Sequence, residues 1–101
     1  MNLEEIYVTL RGASGGGTIS FSVILKWFKA CKIIDGRIIN EELFAKSYER
    51  LCPNREGLSF VQFIQLAGIL MRESRQDVEV FCNLFTSVRD EIVEEIRRNQ
   101  L

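Results

Sequence analysis

Two short stretches, Thr18-Ile19-Ser20-Phe21 and Gly57-Leu58-Ser59-Phe60, carry the same pattern: a small residue, an aliphatic residue, serine and phenylalanine. In each, the aliphatic residue suits a short extended segment. The serine that follows is a good N-cap, because its hydroxyl can accept from the free N–H groups of a helix's first turn. Each stretch therefore predicts an extended residue leading directly into a helix. Two such stretches in one chain predict two helix–loop–helix units whose loops meet through an antiparallel bridge between Ile19 and Leu58.

The flanking sequence reads as helix almost throughout. Leu3, Ile6, Tyr7 and Leu10 follow i, i+3, i+4, i+7 spacing behind a capping Asn2, and Gly12–Gly17 is expected to break that first helix. A second helix is predicted over Phe21–Ile33, with Phe21, Ile24, Leu25, Phe28 and Cys31 on its inner face. Lys26, Lys29 and Lys32 form a separate basic stripe on it. Asp35-Gly36 is a turn signal. Asn40 caps a third helix over Glu41–Leu51, with Ile39 and Phe44 placed as a hydrophobic staple. Pro53 ends it. Ser59 with Gln62 forms a capping-box pattern for a fourth helix lined by Phe60, Phe63, Ile64, Ala67 and Leu70. Ser74 with Asp77 forms a second such pattern, opening a last helix through Val78, Phe81, Leu84, Phe85, Val88, Ile92 and Ile96. The division expected is a domain over 1–89 and a charged helical extension or fraying tail over 90–101.

This is the arrangement of paired EF-hands: an all-α, EF-hand-like core of about five helices with a minimal two-stranded β bridge. Its calcium loops read as degenerate. A working loop needs oxygen ligands at positions 1, 3 and 5 and a glutamate at 12, with an aliphatic residue at 8. With Leu58 at position 8, those places hold Leu51, Pro53, Arg55 and Gln62; with Ile19 there, they hold Gly12, Ser14, Gly16 and Val23. Neither set contains a carboxylate. Shifting the second loop by one residue brings in Asn54 and Glu56 but puts Phe63 at position 12. No metal and no cofactor are expected.

The chain has 101 residues, 47% hydrophobic and 27% charged, which suits one globular domain. Net charge is −1 but unevenly spread: from Arg11 to Asn40 the cations Arg11, Lys26, Lys29, Lys32 and Arg37 face Asp35 alone. Such a basic patch on a near-neutral domain fits an acidic protein surface better than nucleic acid. Cys31, Cys52 and Cys82 are odd in number and widely spaced, so they read as reduced cytosolic thiols, with Cys31 and Cys82 in the core. Glu4 and Glu5 interrupt any signal peptide. No apolar run reaches the roughly 18 residues needed to cross a bilayer.

Catalytic chemistry finds little to work with. The chain has no histidine, which excludes serine–histidine and cysteine–histidine catalysis. The glycine run ends Gly16-Gly17-Thr18 and not Gly-Lys-Ser/Thr, so a phosphate loop is not expected. The pairs Glu41/Glu42 and Glu94/Glu95 read as capping or surface acids. Trp27, beside Lys26, is expected to be partly exposed, where tryptophan favours interfaces.

One family resemblance emerges from Trp27-Phe28-Lys29-Ala30-Cys31-Lys32, Ile34-Asp35-Gly36-Arg37-Ile38-Ile39, Phe44-Ala45-Lys46, Leu58-Ser59-Phe60 with Phe63, and Val80-Phe81-Cys82-Asn83-Leu84. In this order and spacing they resemble the tubulin polymerization-promoting protein family over roughly Leu3–Val88. The resemblance implies a non-enzymatic, cytoplasmic tubulin and microtubule binder that promotes assembly, stabilisation or bundling, in some lineages within the axoneme of a cilium or flagellum. Zinc binding of some members involves histidine, which is absent here. The partner-binding residues expected are Lys26, Trp27, Lys29, Lys32 and Arg37, with Asp35 and Gly36 forming a structural turn. The partners expected are tubulin and microtubules, with no nucleic acid and no membrane, and with room for a weak homodimer. The alternative is a calcium-independent adaptor that binds an amphipathic helix of another protein.

Overall fold

Local signals account for where most helices begin. A computed structural model describes residues 2–15, 17–37, 39–53 and 56–99; Met1, Gly16, Ile38, Asn54, Arg55, Gln100 and Leu101 lie outside the described residues. Asn2 accepts from the Glu5 N–H at 2.8 Å and opens α1, Leu3–Ala13. Ser20 accepts from Val23 and opens α2, Phe21–Ala30. Asn40 accepts from Leu43 at 2.8 Å and opens α3, Glu41–Leu51, with Ile39 and Phe44 of the staple both buried. Ser59 and Gln62 complete the capping box of α4, Phe60–Ser74. The remaining helices are α5, Val78–Thr86, and α6, Arg89–Asn99.

The described residues thus form six helices and no sheet, where about five helices were expected. Besides the turn at Ser87-Val88 that splits the expected last helix into α5 and α6, three boundaries differ from the sequence reading, each for a local reason. First, α1 runs through Gly12 to Ala13, because α6 packs against it: a Cβ at Gly12 would sit 3.7 Å from Ile96 Cδ1. Second, α2 stops at Ala30, not Ile33. Lys32 adopts φ 66°, while the Lys32 and Ile33 N–H groups turn back to the Lys29 and Phe28 carbonyls, a Schellman closure with lysine in the usual glycine place. Third, Ser74 ends α4, its hydroxyl donating to the Leu70 carbonyl at 2.7 Å, and Asp77 alone caps α5 by accepting from Val80. Arg75, at φ 55°, makes the turn between these helices.

Ile19 and Leu58 form an antiparallel bridge, exchanging both backbone hydrogen bonds at 3.1 and 2.9 Å. Each bridge residue immediately precedes a helix-capping serine. Gly57 makes this approach feasible: its φ is 116°, and a Cβ there would lie 2.1 Å from Thr18 Oγ1. Tyr7 adds a third tie, its hydroxyl donating to the Leu58 carbonyl at 3.4 Å.

Around the bridge, α3 packs on α4, and α1 contacts α2, α4, α5 and α6. Phe28 sits at the centre, with its ring centroid 5.9, 5.7 and 6.2 Å from those of Phe44, Phe81 and Phe85. That joins α2 to α3 and α5 through edge-to-face contacts. The segment read as an exposed or fraying tail is instead docked: Ile92 is fully buried and Ile96 packs against the core. The helix is highly charged on its other faces, which is why its average composition hid the anchor. All three cysteines are buried free thiols, Cys52 included. No helix among the described residues is long and apolar enough to cross a membrane.

Candidate partner-binding surface

The cations singled out in the sequence lie on α2 and on the connection from α2 to α3. Lys26, Lys29, Lys32 and Arg37 are all exposed. They are not equivalent, however. Lys26 pairs with Glu95 of α6, and Lys29 pairs with Glu41 at the start of α3. These ion pairs are solvated and each contributes little stability, in the range of about 0–1 kcal/mol, but they neutralise two of the four cations. The expectation of little compensating acid therefore fails, because acids distant in sequence fold onto the basic segment. Among the described residues, Lys32 and Arg37 have no ion-pair partner.

Both free cations lie in a shaped turn. Asp35 accepts from the Arg37 N–H at 2.9 Å, and Gly36, at φ 84°, donates to the Ile39 carbonyl at 3.1 Å. Ile33, Ile34 and Ile39 are buried beneath it. The Asp35-Gly36 turn is thus anchored from inside, with Lys32 and Arg37 on its outer side.

Trp27 departs from expectation. It is only 4% exposed. Lys26 Nζ lies 5.0 Å from the centroid of its ring, and the ring borders a groove whose opposite wall is α6. Periodicity within α2 could not show this groove, because its other wall comes from the far end of the chain. Between α2 and α6 runs an open groove of about 790 Å³, lined by Lys26, Trp27 and Ala30 on one side and by Asp90, Glu91, Glu94, Glu95 and Arg98 on the other. Sequence reasoning treated Glu94 and Glu95 as solvated acids and missed this groove. Ile92 and Ile96, set i, i+4 within the charged run, were the signal that α6 returns to the core.

The two interhelical loops are closed by uncharged side chains. In the first, the Ser14 hydroxyl donates to the Leu10 carbonyl at 2.9 Å and accepts from the Ser20 N–H at 3.1 Å. In the second, the Gln62 amide accepts from the Ser59 N–H at 2.9 Å and donates to the Leu51 carbonyl at 2.8 Å. Among the described residues, no group of three or more acidic or cysteine side chains is arranged to hold a metal ion.

Comparisons of the chain with protein-family models, curated proteins and solved structures found no match.

Proposed function

We propose that this chain is a non-enzymatic, EF-hand-like module that binds tubulin or microtubules through the turn between α2 and α3. The observation that carries the reading is Lys32. It is an exposed cation without an ion-pair partner among the described residues, held at φ 66° in a position where glycine would be less strained. Arg37 follows in the same anchored turn. Together they offer positive charge on a rigid support, suited to an acidic protein surface. The ordered family-like residues, Trp27–Lys32, Ile34–Ile39 and Leu58–Phe63, supply the choice of tubulin among such surfaces.

The EF-hand-like reading rests on the Ile19–Leu58 bridge, with a capped helix after each of its residues and a helix before each loop. The loops lack carboxylates at the ligand positions that are described, and Ser14 and Gln62 close them with neutral hydrogen bonds. On this reading the module is a standing docking surface and not a calcium switch. Its setting is the cytoplasmic microtubule cytoskeleton, including that of cilia and flagella.

Microtubule cosedimentation tests the proposal. The chain pellets with microtubules in a salt-sensitive manner, since exposed charges are screened beyond about 8 Å at physiological ionic strength. Lys32→Glu with Arg37→Glu removes most of the binding, and Lys26→Glu affects it less because Lys26 is already paired. Full pelleting of the double variant rejects this surface, and failure of the unaltered chain to pellet rejects tubulin as the partner.

A further inference from the structure

We propose that the outer face of α4 docks an amphipathic helix of a partner protein, one with an apolar stripe and carboxylates towards both of its ends. This surface is separate from the α2–α3 turn, and the inference does not rest on the tubulin reading.

From Phe60 to Met71, α4 carries no charged residue, and Gln62 and Gln65 are its only polar side chains there. A helix apolar on all sides is normally buried on all sides. Here Phe63, Leu66, Ala67 and Leu70 fill the core, yet the opposite face is open. Val61 is 65% exposed and Phe60 40%. Val61, Gln65, Gly68 and Arg72, spaced i, i+4, i+7, i+11, form the exposed ridge, with Ile64 half-buried beside it. Gly68 is a dent in that ridge, with nothing within 4 Å of an added Cβ. Glycine weakens a helix interior, and no contact within the molecule makes use of its small size. An open glycine lets the axis of a second helix approach closely.

The charges around this face select the occupant. The Arg11 guanidinium lies 5.8 Å from the Tyr7 ring centroid, and the Tyr7 ring lies 5.3 Å from that of Phe60. A cation therefore stands at the N-terminal end of the stripe, and Arg72 and Arg75 stand at its C-terminal end. All three are exposed, and none has an ion-pair partner among the described residues. Glu73, the one acid of α4, lies about 100° round the helix from Arg72. A second copy of this chain would set arginine against arginine, whether the two α4 helices ran parallel or antiparallel. A lipid surface would draw the Gln65 amide into hydrocarbon without a partner. An amphipathic helix with flanking acids covers Phe60 and Val61, and its carboxylates meet the guanidinium groups at both ends.

The probe is an end-blocked, fluorophore-labelled helical peptide of leucine, alanine and glutamine with two glutamates at each end. Its anisotropy should rise saturably with added protein. The same peptide with lysines for the glutamates should bind at least tenfold more weakly. Val61→Glu should weaken the glutamate peptide about tenfold, or roughly 1.4 kcal/mol, with the circular dichroism spectrum and melting temperature unchanged. Arg11→Gln with Arg72→Gln should abolish the preference for glutamate over lysine. The proposal is overturned if the glutamate peptide gives no saturable response, if the lysine peptide binds as tightly, or if Val61→Glu binds the glutamate peptide equally well. Sedimentation showing a dimer that Val61→Glu separates would overturn it in favour of a second copy. Pelleting with phosphatidylserine vesicles that Val61→Glu abolishes would overturn it in favour of a lipid surface.

Discussion

The Gln62 amide reaches back to the Leu51 carbonyl at 2.8 Å, tying the start of α4 to the end of α3, while its oxygen accepts from the Ser59 N–H. One neutral side chain thus makes the link across the loop that a bound cation makes in a calcium-loaded helix–loop–helix. Gln62→Glu keeps the acceptor but loses the donor and turns a carboxylate oxygen toward the carbonyl. It should destabilise the fold by about 1–3 kcal/mol, the usual cost of leaving such a group unsatisfied. Urea denaturation measures this. Millimolar calcium should not restore the loss, and recovery on adding calcium would show that the variant loop binds the ion.

Gly57 and Gly68 respond oppositely to the same change. At Gly57 an added Cβ meets Thr18 at 2.1 Å from a backbone at φ 116°, so Gly57→Ala should cost at least about 2 kcal/mol through overpacking and strain. Gly68 lies within α4 with nothing within 4 Å of an added Cβ. Gly68→Ala should therefore stabilise the protein by about 0.5–1 kcal/mol. Thermal denaturation of the two variants checks both signs.

Burial pushes the Cys31 thiol from an ordinary 9.0 up to about 11, outweighing the backbone hydrogen bonds that favour the thiolate. The unfolded chain ionises this thiol first as pH rises. The contribution to stability is complete below about pH 9 and is lost between about 9 and 11. Chemical denaturation across that window should show a fall in midpoint that Cys31→Ala lacks, measured against the variant's own value at neutral pH. A thiol reagent at pH 8 should label Cys31 only as fast as the protein opens.

If α6 were a loose extension, truncating its apolar contacts would cost little. Ile92 is fully buried, so Ile92→Ala should lower stability by about 2–5 kcal/mol within a single unfolding transition. A separate, early transition of α6 would show instead that it folds independently of the remaining helices.

The parts of this structure legible in the sequence are those set by neighbours along the chain. Asn2, Ser20, Asn40 and Ser59 each cap the helix expected of them, and the repeated extended-residue-plus-serine pattern anticipates the Ile19–Leu58 bridge. What stayed hidden depends on distant segments. The last helix, α6, returns to face Trp27 across a groove, and Lys26 and Lys29 lose their free charge to Glu95 and Glu41. Lys32 leaves the α2 stripe because Lys32 and Ile33 turn their N–H groups back to Lys29 and Phe28, a choice that residue periodicity does not encode. Ser74 shows the same limit at shorter range. Its hydroxyl closes α4 instead of opening α5, and a serine at a helix boundary serves either purpose.

The bridge has a consequence for how the molecule opens. The Ile19 and Leu58 amide protons are each held by a residue from the other half of the chain, and both bridge residues are fully buried. Fraying at either helix end leaves them untouched. They can trade with deuterium only when the halves separate, so these two protons are clocks for the opening of the whole domain, slower than those of the outer helix turns.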